Sequence, residues 1–222
     1  MTRRRWVILV AGLVALQAAS LGLAYLLRPG YVATVLVGDS ITYGFPWTSV
    51  GDCEVAKDAL PGISAVQIAG QLPVLSAGRA PRYEILLAGM NDAAPDLTPG
   101  QVAAFDASYQ QIIDSARGAG TTILLASIPP IEPGKSLSEI HSQESIDLLN
   151  GIIASKAQAQ DLPLIDLTTP FMDADGAGRP GYSSDGIHPT PDSYEVIRDR
   201  YTAALRTAVA SSKAPCEDTA TR

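Results

Sequence analysis

The sequence has few basic residues, few cysteines and few histidines. Its 222 residues contain 16 Lys+Arg against 23 Asp+Glu, which gives a formal net charge of −7, and three of the arginines stand together at Arg3–Arg5. An acidic domain is a poor candidate for binding nucleic acid or anionic lipid through its surface field, so we expect no nucleic-acid partner. With only two cysteines and two histidines, the choices for a disulfide bond and for a reactive imidazole are narrow.

The chain has one long hydrophobic run, at the amino terminus. Trp6–Leu27 carries no charge and follows Arg3–Arg5. As a helix it would be about 33 Å long at about 1.5 Å per residue, enough to cross a bilayer, and the arginines indicate a cytoplasmic amino terminus. A cleaved signal peptide with small residues at Ala18–Ser20 is the alternative, but the apolar run continues past them, which favours an uncleaved anchor. Both interpretations place the rest of the chain outside the cytoplasm.

After Arg28-Pro29-Gly30, short apolar runs alternate with longer amphipathic segments, without internal repeats. This alternation predicts an α/β domain with a parallel sheet covered by helices on both faces. We place the domain at residues 31–212, after a stub and anchor at 1–30 and before a tail at 213–222. The predicted strands are Ala33–Val37, Glu54–Lys57, Tyr83–Ala88, Thr121–Ser127 and Leu164–Leu167, and the predicted helices are Ser64–Ser76, Pro99–Ala119, Gln143–Gln160 and Pro191–Ser211.

The two cysteines are expected to form one disulfide, as two cysteines in an exported domain suggest. Cys53 opens the second strand, at the amino-terminal edge of the predicted sheet. Cys216 follows the last helix, which returns to that edge, so the two could meet. Two unpaired thiols are the alternative.

Four polar segments are predicted to meet at the carboxyl edge of the sheet, where open α/β sheets place their chemistry. Ser40 follows the first strand, Gly62 the second and Asn91 the third, while Asp185 and His188 lie just before the final helix. Each segment alone could be an ordinary turn or cap. Their combination at one edge predicts a functional site.

These residue types fit covalent acyl transfer. A serine hydroxyl needs a base within hydrogen-bond reach, and His188 could be that base, with Asp185 orienting its imidazole. A tetrahedral intermediate also needs donors aimed at its oxyanion. The backbone N–H groups of Ser40 and Gly62, with the Asn91 side-chain amide, could supply three.

The motifs resemble those of the SGNH hydrolases, also called the GDSL esterase/lipase family, over roughly residues 31–212. Gly38-Asp39-Ser40 resembles the first block, Gly89-Met90-Asn91-Asp92 the G-x-N-D block, and Asp185-Gly186-Ile187-His188 the D-x-x-H block. The resemblance implies a three-layer, flavodoxin-like α/β/α fold with no metal or organic cofactor. By the same resemblance Ser40 is the nucleophile, His188 the base and Asp185 its partner, and Gly62 and Asn91 complete an oxyanion hole with Ser40.

The second block departs from the family pattern. Members often have an asparagine about five residues before the glycine, where this chain has Lys57. An alternative register puts Ala65 in the place of Gly62. Either register leaves a backbone donor.

Three aromatic residues soon after the nucleophile, Tyr43, Phe45 and Trp47, could line an acyl or sugar groove, with core or loop packing as the alternative. His141 is predicted to be a solvated surface histidine. Asp173-Ala174-Asp175-Gly176 has part of a calcium-loop pattern but lacks the remaining ligand spacing, so no metal site is predicted.

The resemblance, with the predicted anchor, implies a membrane-anchored extracytoplasmic serine esterase. Its substrate would be an O-acetylated carbohydrate or a lipid-type acyl ester. An O-acyltransferase using the same residues is the alternative, but a single anchor offers no route for carrying an acyl donor across the membrane. A catalytically silent cell-surface binding module is the alternative of another class, although such a module needs no Ser–His–Asp set. No obligate protein partner is inferred.

Overall fold

The structure, a computed structural model, describes residues 34–75, 81–212 and 216, all within one compact unit, Val32–Arg222. The predicted anchor at Trp6–Leu27 and all of the predicted tail except Cys216 lie outside the described residues. Among the helices that are described, none is both long and apolar enough to cross a membrane.

The described residues form one sheet of six strands. The strands are β1 (Thr34–Gly38), β2 (Ser49–Val50), β3 (Cys53–Ala59), β4 (Tyr83–Leu87), β5 (Thr122–Ala126) and β6 (Leu164–Ile165). Their order across the sheet is β2-β3-β1-β4-β5-β6. All neighbours pair in parallel except β2, which is antiparallel to β3. The mostly parallel sheet was therefore predicted correctly, with one antiparallel edge strand added.

Helices surround the sheet. They are α1 (Ser40–Gly44), α2 (Ala65–Leu75), α3 (Pro99–Gly118), α4 (Gln143–Ala159) and α5 (Pro191–Ser212), with 3-10 helices at Met90–Asp92 and Thr169–Phe171. Helix α2 packs on α3, α3 and α4 pack on β5, and α5 contacts the edge strands β2 and β6. Every residue of β1 is buried, so both faces of the central sheet are covered. This α/β architecture fits the flavodoxin-like class implied by the motifs.

Two short elements differ from the sequence prediction. No helix was predicted between the first two strands, but Ser40–Gly44 form the five-residue helix α1. Its start is fixed by Asp39, whose carboxylate Oδ1 accepts the backbone N–H of Ile41 at 2.9 Å. Strand β2 has only two residues and is held by its pairing with β3. Elements this short carry no periodicity to predict them from.

The predicted disulfide is present between Cys53 and Cys216, whose Cα atoms are 4.9 Å apart. Cys53 is the first residue of β3, and Cys216 lies just beyond the end of α5. The bond therefore joins the residues beyond the last helix to the edge of the sheet opposite the predicted site.

Candidate active site

The candidate nucleophile lies where β1 turns abruptly into α1. A side chain at Gly38, the last residue of β1, would place a Cβ 2.2 Å from the Leu87 carbonyl oxygen and 2.2 Å from Thr42 Oγ1. Only glycine fits there, because β1 and β4 come so close. Asp39 is buried, and burial raises the pKa of its carboxyl to about 7, against a hydrogen bond from Ile41 that favours the ionised form. Ser40 follows as the first residue of α1 and remains partly exposed.

A continuous line of hydrogen bonds connects Ser40, His188 and Asp185. Ser40 Oγ lies 2.8 Å from His188 Nε2, and His188 Nδ1 lies 2.7 Å from Asp185 Oδ2. Because an ionised carboxylate can only accept, Nδ1 carries the proton towards Asp185. The lone pair of Nε2 then faces the serine hydroxyl, which is the arrangement a general base requires.

Asp185 is held by the loop that carries it. Its Oδ1 accepts the backbone N–H groups of His188 at 3.0 Å and of Ile187 at 3.2 Å. Partial burial alone would raise the pKa of Asp185, but the hydrogen bonds from the side chain and backbone of His188 and from Ile187 prevail and hold the pKa below its ordinary value. The carboxylate is therefore ionised at neutral pH, facing the imidazole.

The predicted oxyanion residues lie on two loops that are bonded together. Residues Leu60–Ile63 form a turn in which the Ile63 N–H donates to the Leu60 carbonyl at 3.2 Å. Gly62 has a φ of +78°, which fits the third position of a type II turn after a proline and explains the glycine. The Gly62 N–H donates to no other residue in the described part of the chain. Asn91 Nδ2 donates one hydrogen to the Ile63 carbonyl at 3.0 Å and retains a second.

Further bonds place this pair of loops beside the nucleophile. The Leu60 N–H donates to the Gly38 carbonyl at 3.2 Å, two residues before Ser40. Asp92 Oδ2 accepts the N–H of Ala65 at 2.8 Å, at the start of α2. The structure thus brings the four predicted segments to one edge of the sheet. The donor roles of Ser40, Gly62 and Asn91 stay predictions.

The three aromatic residues occupy different environments. Tyr43 lies within the nucleophile helix α1 and is 59% exposed, and Trp47 is partly buried, with the Arg198 guanidinium 4.7 Å from its ring centroid. Phe45 is only 1% exposed and packs against Tyr194 and Tyr201 of α5. Its core position argues against the predicted contact with substrate, because the ring has no free face.

Lys57, the residue that departs from the family pattern, supports the end of α1. Its Nζ donates to the backbone carbonyls of Tyr43 and Phe45, each at 2.8 Å. These carbonyls lie at the carboxyl end of α1, where a cation is favourable. Lys57 therefore joins β3 by hydrogen bonds to the segment that follows the nucleophile.

The sequence did not indicate that His141 and Glu132 lie near the site. His141 is half-buried rather than fully solvated, and its burial lowers its pKa, against a hydrogen bond with the backbone of Met90, the neighbour of Asn91. Glu132 is buried and binds the loop that carries Asp185 and His188. The one sequence signal for Glu132 was a lone acid in the apolar, proline-rich segment Ile128–Pro133.

Among the residues that the structure describes, no group of three or more His, Cys, Asp or Glu side chains is arranged to hold a metal ion. Asp173 instead accepts the backbone N–H groups of Asp175 and Ala177 at 2.9 and 3.0 Å, which closes its own turn.

A Ser–His–Asp set at the carboxyl edge of a parallel α/β sheet is the geometry of serine hydrolases. The chain belongs to the GDSL-like lipase/acylhydrolase family, which it matches over residues 36–196. It is therefore an enzyme of the ester hydrolase class. A search of curated proteins found no match.

Several solved structures share the fold. A GDSL-like lipase from Bacteroides thetaiotaomicron is 20% identical, with a TM-score of 0.66 over 81% of this chain and 88% of that chain. An acetyl xylan esterase is 20% identical, with a TM-score of 0.63 over 79% of this chain and 99% of its own. The lipase/acylhydrolase from Enterococcus faecalis is 20% identical, with a TM-score of 0.58 over 79% and 96% of the two chains.

Proposed function

We propose that this enzyme hydrolyses carboxylic esters with Ser40 as nucleophile, His188 as general base and acid, and Asp185 as the partner of His188. The observation that carries this proposal is the unbroken series of hydrogen bonds at 2.8 and 2.7 Å from Ser40 through His188 to Asp185. A binding module has no need of a serine hydroxyl aligned on an imidazole, so the geometry favours catalysis over the silent alternative.

The reaction proceeds in two half-reactions. Ser40 Oγ attacks the ester carbonyl carbon while its proton passes to His188 Nε2, and a tetrahedral intermediate forms. The carbon–oxygen bond to the alcohol then breaks, and His188 returns the proton to the leaving oxygen. Water, deprotonated by the same nitrogen, attacks the acyl-enzyme and releases the acid and free Ser40. Asp185 stabilises the imidazolium in both half-reactions.

The negative oxygen of each intermediate is stabilised by hydrogen-bond donors. The N–H groups of Ser40 and Gly62 and the second Nδ2 hydrogen of Asn91 take this role. Each such donor contributes about 3–4 kcal/mol to transition-state stabilisation. The Ile63 carbonyl orients Asn91 by accepting its other hydrogen.

The substrate class we propose is an O-acetylated carbohydrate or a lipid-type acyl ester. Tyr43 and Leu60 support it, since both are more than half exposed on the segments next to Ser40 and Gly62 and offer apolar surface to an acyl chain or a sugar face. Lipases and an acetyl xylan esterase among the structures of similar fold are compatible with both kinds of ester.

We further propose that Trp6–Leu27 anchors the enzyme in the cell membrane, with the amino terminus in the cytoplasm and the catalytic domain outside. The support is the uncharged run after Arg3–Arg5 and the Cys53–Cys216 disulfide, which is typical of an oxidising compartment.

The test is hydrolysis of p-nitrophenyl acetate, butyrate and octanoate by the full-length chain in mild detergent. Ser40→Ala and His188→Ala should each lower kcat by about 1,000-fold or more, since both remove the activated nucleophile. Ser155→Ala, an exposed serine of α4, is the matched control and should keep full activity. A fluorophosphonate probe should label the parent chain and the Ser155→Ala chain but not Ser40→Ala.

The chain-length series separates the substrate classes. Turnover that falls from acetate to octanoate indicates a deacetylase, and turnover that rises indicates a lipid esterase. A folded Ser40→Ala chain with full activity overturns the mechanism. No hydrolysis, with labelling of Ser40 intact, favours the acyltransferase.

A further inference from the structure

We propose that Glu132 is a positioning residue for the acid–base pair, acting through the loop that carries Asp185 and His188. This inference rests on the proposed function. Glu132 follows β5, in a segment that lies against residues 178–186. Its side chain does not touch Asp185 or His188 in any bond of the structure, so its effect on them passes through the backbone between residues 181 and 188.

The carboxylate of Glu132 is saturated with donors. Oε1 accepts the Gly181 N–H at 2.8 Å, and Oε2 accepts the Ser183 N–H at 2.9 Å and the Ser183 hydroxyl at 2.8 Å. Lys135 Nζ forms an ion pair with Oε1 at 3.0 Å and also donates to the Ser183 carbonyl. Three of the four groups that bind this carboxylate thus belong to the segment just before Asp185.

The backbone on either side of the carboxylate continues the contact. The Glu132 N–H donates to the Gly186 carbonyl at 2.9 Å, and the Leu137 N–H donates to the Asp185 carbonyl at 2.8 Å. A Cβ at Gly186 would lie 2.9 Å from the Ser138 backbone nitrogen, which shows how closely the two segments pass. The segment after β5 therefore holds the loop of residues 181–188, here called the catalytic loop, on both sides of Asp185 and at Asp185 itself.

The Ser183 hydroxyl connects the Glu132 carboxylate to the backbone just after Asp185. It donates to Glu132 Oε2 and accepts the Gly186 N–H at 3.0 Å. Glu132 thereby orients a side chain that holds the peptide immediately after Asp185. The same peptide turns with a positive φ at Gly186 and leads into the N–H groups that bind Asp185 Oδ1.

The catalytic loop depends on such bonds because it has little regular structure. Between the 3-10 helix ending at Phe171 and the start of α5 at Pro191, the described pairings are two isolated bridges, Met172–Gly178 and Ser183–Pro189. A buried carboxylate is costly to desolvate, and among the described residues the donors that offset this cost belong to this loop and to Lys135. Burial would raise the pKa of Glu132, but the hydrogen bonds from Gly181, Ser183 and Lys135 lower it to about 2, so the carboxyl is ionised at neutral pH.

The predicted effect is on catalysis more than on substrate binding. Misplacing a catalytic group by about 1 Å costs on the order of 100-fold in rate. His188 acts in both half-reactions, so a displaced imidazole lowers kcat. The predicted oxyanion donors and the exposed residues Tyr43 and Leu60 lie on other segments, so KM should change little.

The experiment compares Glu132→Gln and Glu132→Ala with the parent in the full-length chain, using p-nitrophenyl acetate. Glutamine retains one acceptor oxygen and should lower kcat about 10-fold, whereas alanine removes both and should lower it about 100-fold, with KM within about threefold. The rate of fluorophosphonate labelling of Ser40 should fall in parallel. Thermal unfolding is measured for every variant, and kinetics are recorded at a temperature where each is folded.

Thr121→Val is the matched control for simple loss of a buried hydrogen bond. The Thr121 hydroxyl donates to the Pro81 carbonyl at 2.7 Å at the opposite edge of the sheet. It should lower the unfolding temperature without changing kcat. If the alanine variant does not fold, Glu132→Gln and Ser183→Ala, which removes one donor and the Gly186 contact, supply the same kinetic comparison.

The inference is overturned if folded Glu132→Gln keeps kcat within about twofold of the parent, or if KM rises at constant kcat, as removal of uniform binding would cause. Ser40→Ala in the same series separates this outcome from a failure of the mechanism. Activity that requires Ser40 but not Glu132 contradicts only the inference about Glu132. Activity that survives Ser40→Ala contradicts the proposed function itself.

Discussion

At the scale of single residues, Gly62 combines a special backbone conformation with open space around it. Its φ is +78°, and a Cβ there would meet nothing within 4 Å. Any effect of a substitution therefore comes from the backbone alone. An L-residue in this conformation costs about 1–2 kcal/mol, and the turn can relieve that cost by rotating the Pro61–Gly62 peptide. Such a rotation moves the Gly62 N–H, the donor that the proposed mechanism directs at the oxyanion.

Gly62→Ala should therefore reduce kcat/KM by about 10- to 100-fold, approaching the loss of one oxyanion donor. Gly120→Ala is the matched control. Gly120 has a φ of +75° and equally open surroundings, but it follows α3 at the opposite edge of the sheet. The two variants should lose similar thermal stability, while Gly120→Ala keeps its activity. Equal activities in the two would remove Gly62 from the oxyanion hole, and Ala65 of the alternative register would not replace it, because its N–H is already donated to Asp92 Oδ2 at 2.8 Å.

The site could be predicted from sequence where its residues lie in contiguous motifs at strand ends. Ser40 follows an apolar strand directly, and Asp185 and His188 are three residues apart, so their relation is local. Glu132 could not be predicted, because its partners Gly181 and Ser183 are 49 and 51 residues away and belong to no motif. For Phe45 the sequence left substrate contact and core packing open for the same reason, since the tyrosines that bury it lie on α5.

At the scale of elements, the accuracy of the sequence prediction depended on the length of each helix or strand and on how its residues are buried. The helices α3 and α4, predicted from their long amphipathic segments, begin at the predicted residues and end one residue earlier than predicted. Thr98 and Gln101 form a capping box at the start of α3, and Ser142 caps α4. The second strand, predicted at Glu54–Lys57, is the longest of those described, at seven residues, and pairs with both β1 and β2. Its alternating burial, with polar residues facing out, made its apolar signal faint.

The Cys53–Cys216 disulfide closes a loop of 163 residues between β3 and the residues after α5. Reduction should lower the free energy of unfolding by about 2–5 kcal/mol, because the unfolded chain regains the entropy that the closed loop removes. Urea unfolding with and without dithiothreitol measures the difference. The Cys53→Ser/Cys216→Ser variant should match the reduced parent and show no response to dithiothreitol. An oxidised and a reduced parent of equal stability would contradict the expected contribution of the bond.

At the scale of the whole molecule, the proposed anchor and the acidic domain are expected to interact with a membrane in opposite ways. The proposed anchor would hold the amino-terminal run in the membrane, whereas a domain with a large excess of acidic residues is repelled by anionic lipid. We therefore expect the anchor to be the whole of the membrane attachment.

Fractionation of cells that express the full-length chain tests this topology. The enzyme should remain in the membrane pellet after an alkaline carbonate wash, and protease added to intact spheroplasts should remove the domain. Mass spectrometry of the purified chain should find the residues before Ala18 still attached. An enzyme released from the cells, with its amino terminus just after Ser20, would establish a cleaved signal in place of the anchor.

The distance along the chain between Ser40 and His188 has a consequence for biosynthesis. The two residues are 148 positions apart, and the hydroxyl gains its base only when the last helix and the loop before it have joined the sheet. A growing chain therefore carries the proposed nucleophile long before its proposed base. It has no activated serine until residues up to the end of α5 have been synthesised and folded. We therefore expect ester hydrolysis to appear only when the loop before α5 has joined the sheet, and a product terminated before His188 to lack it.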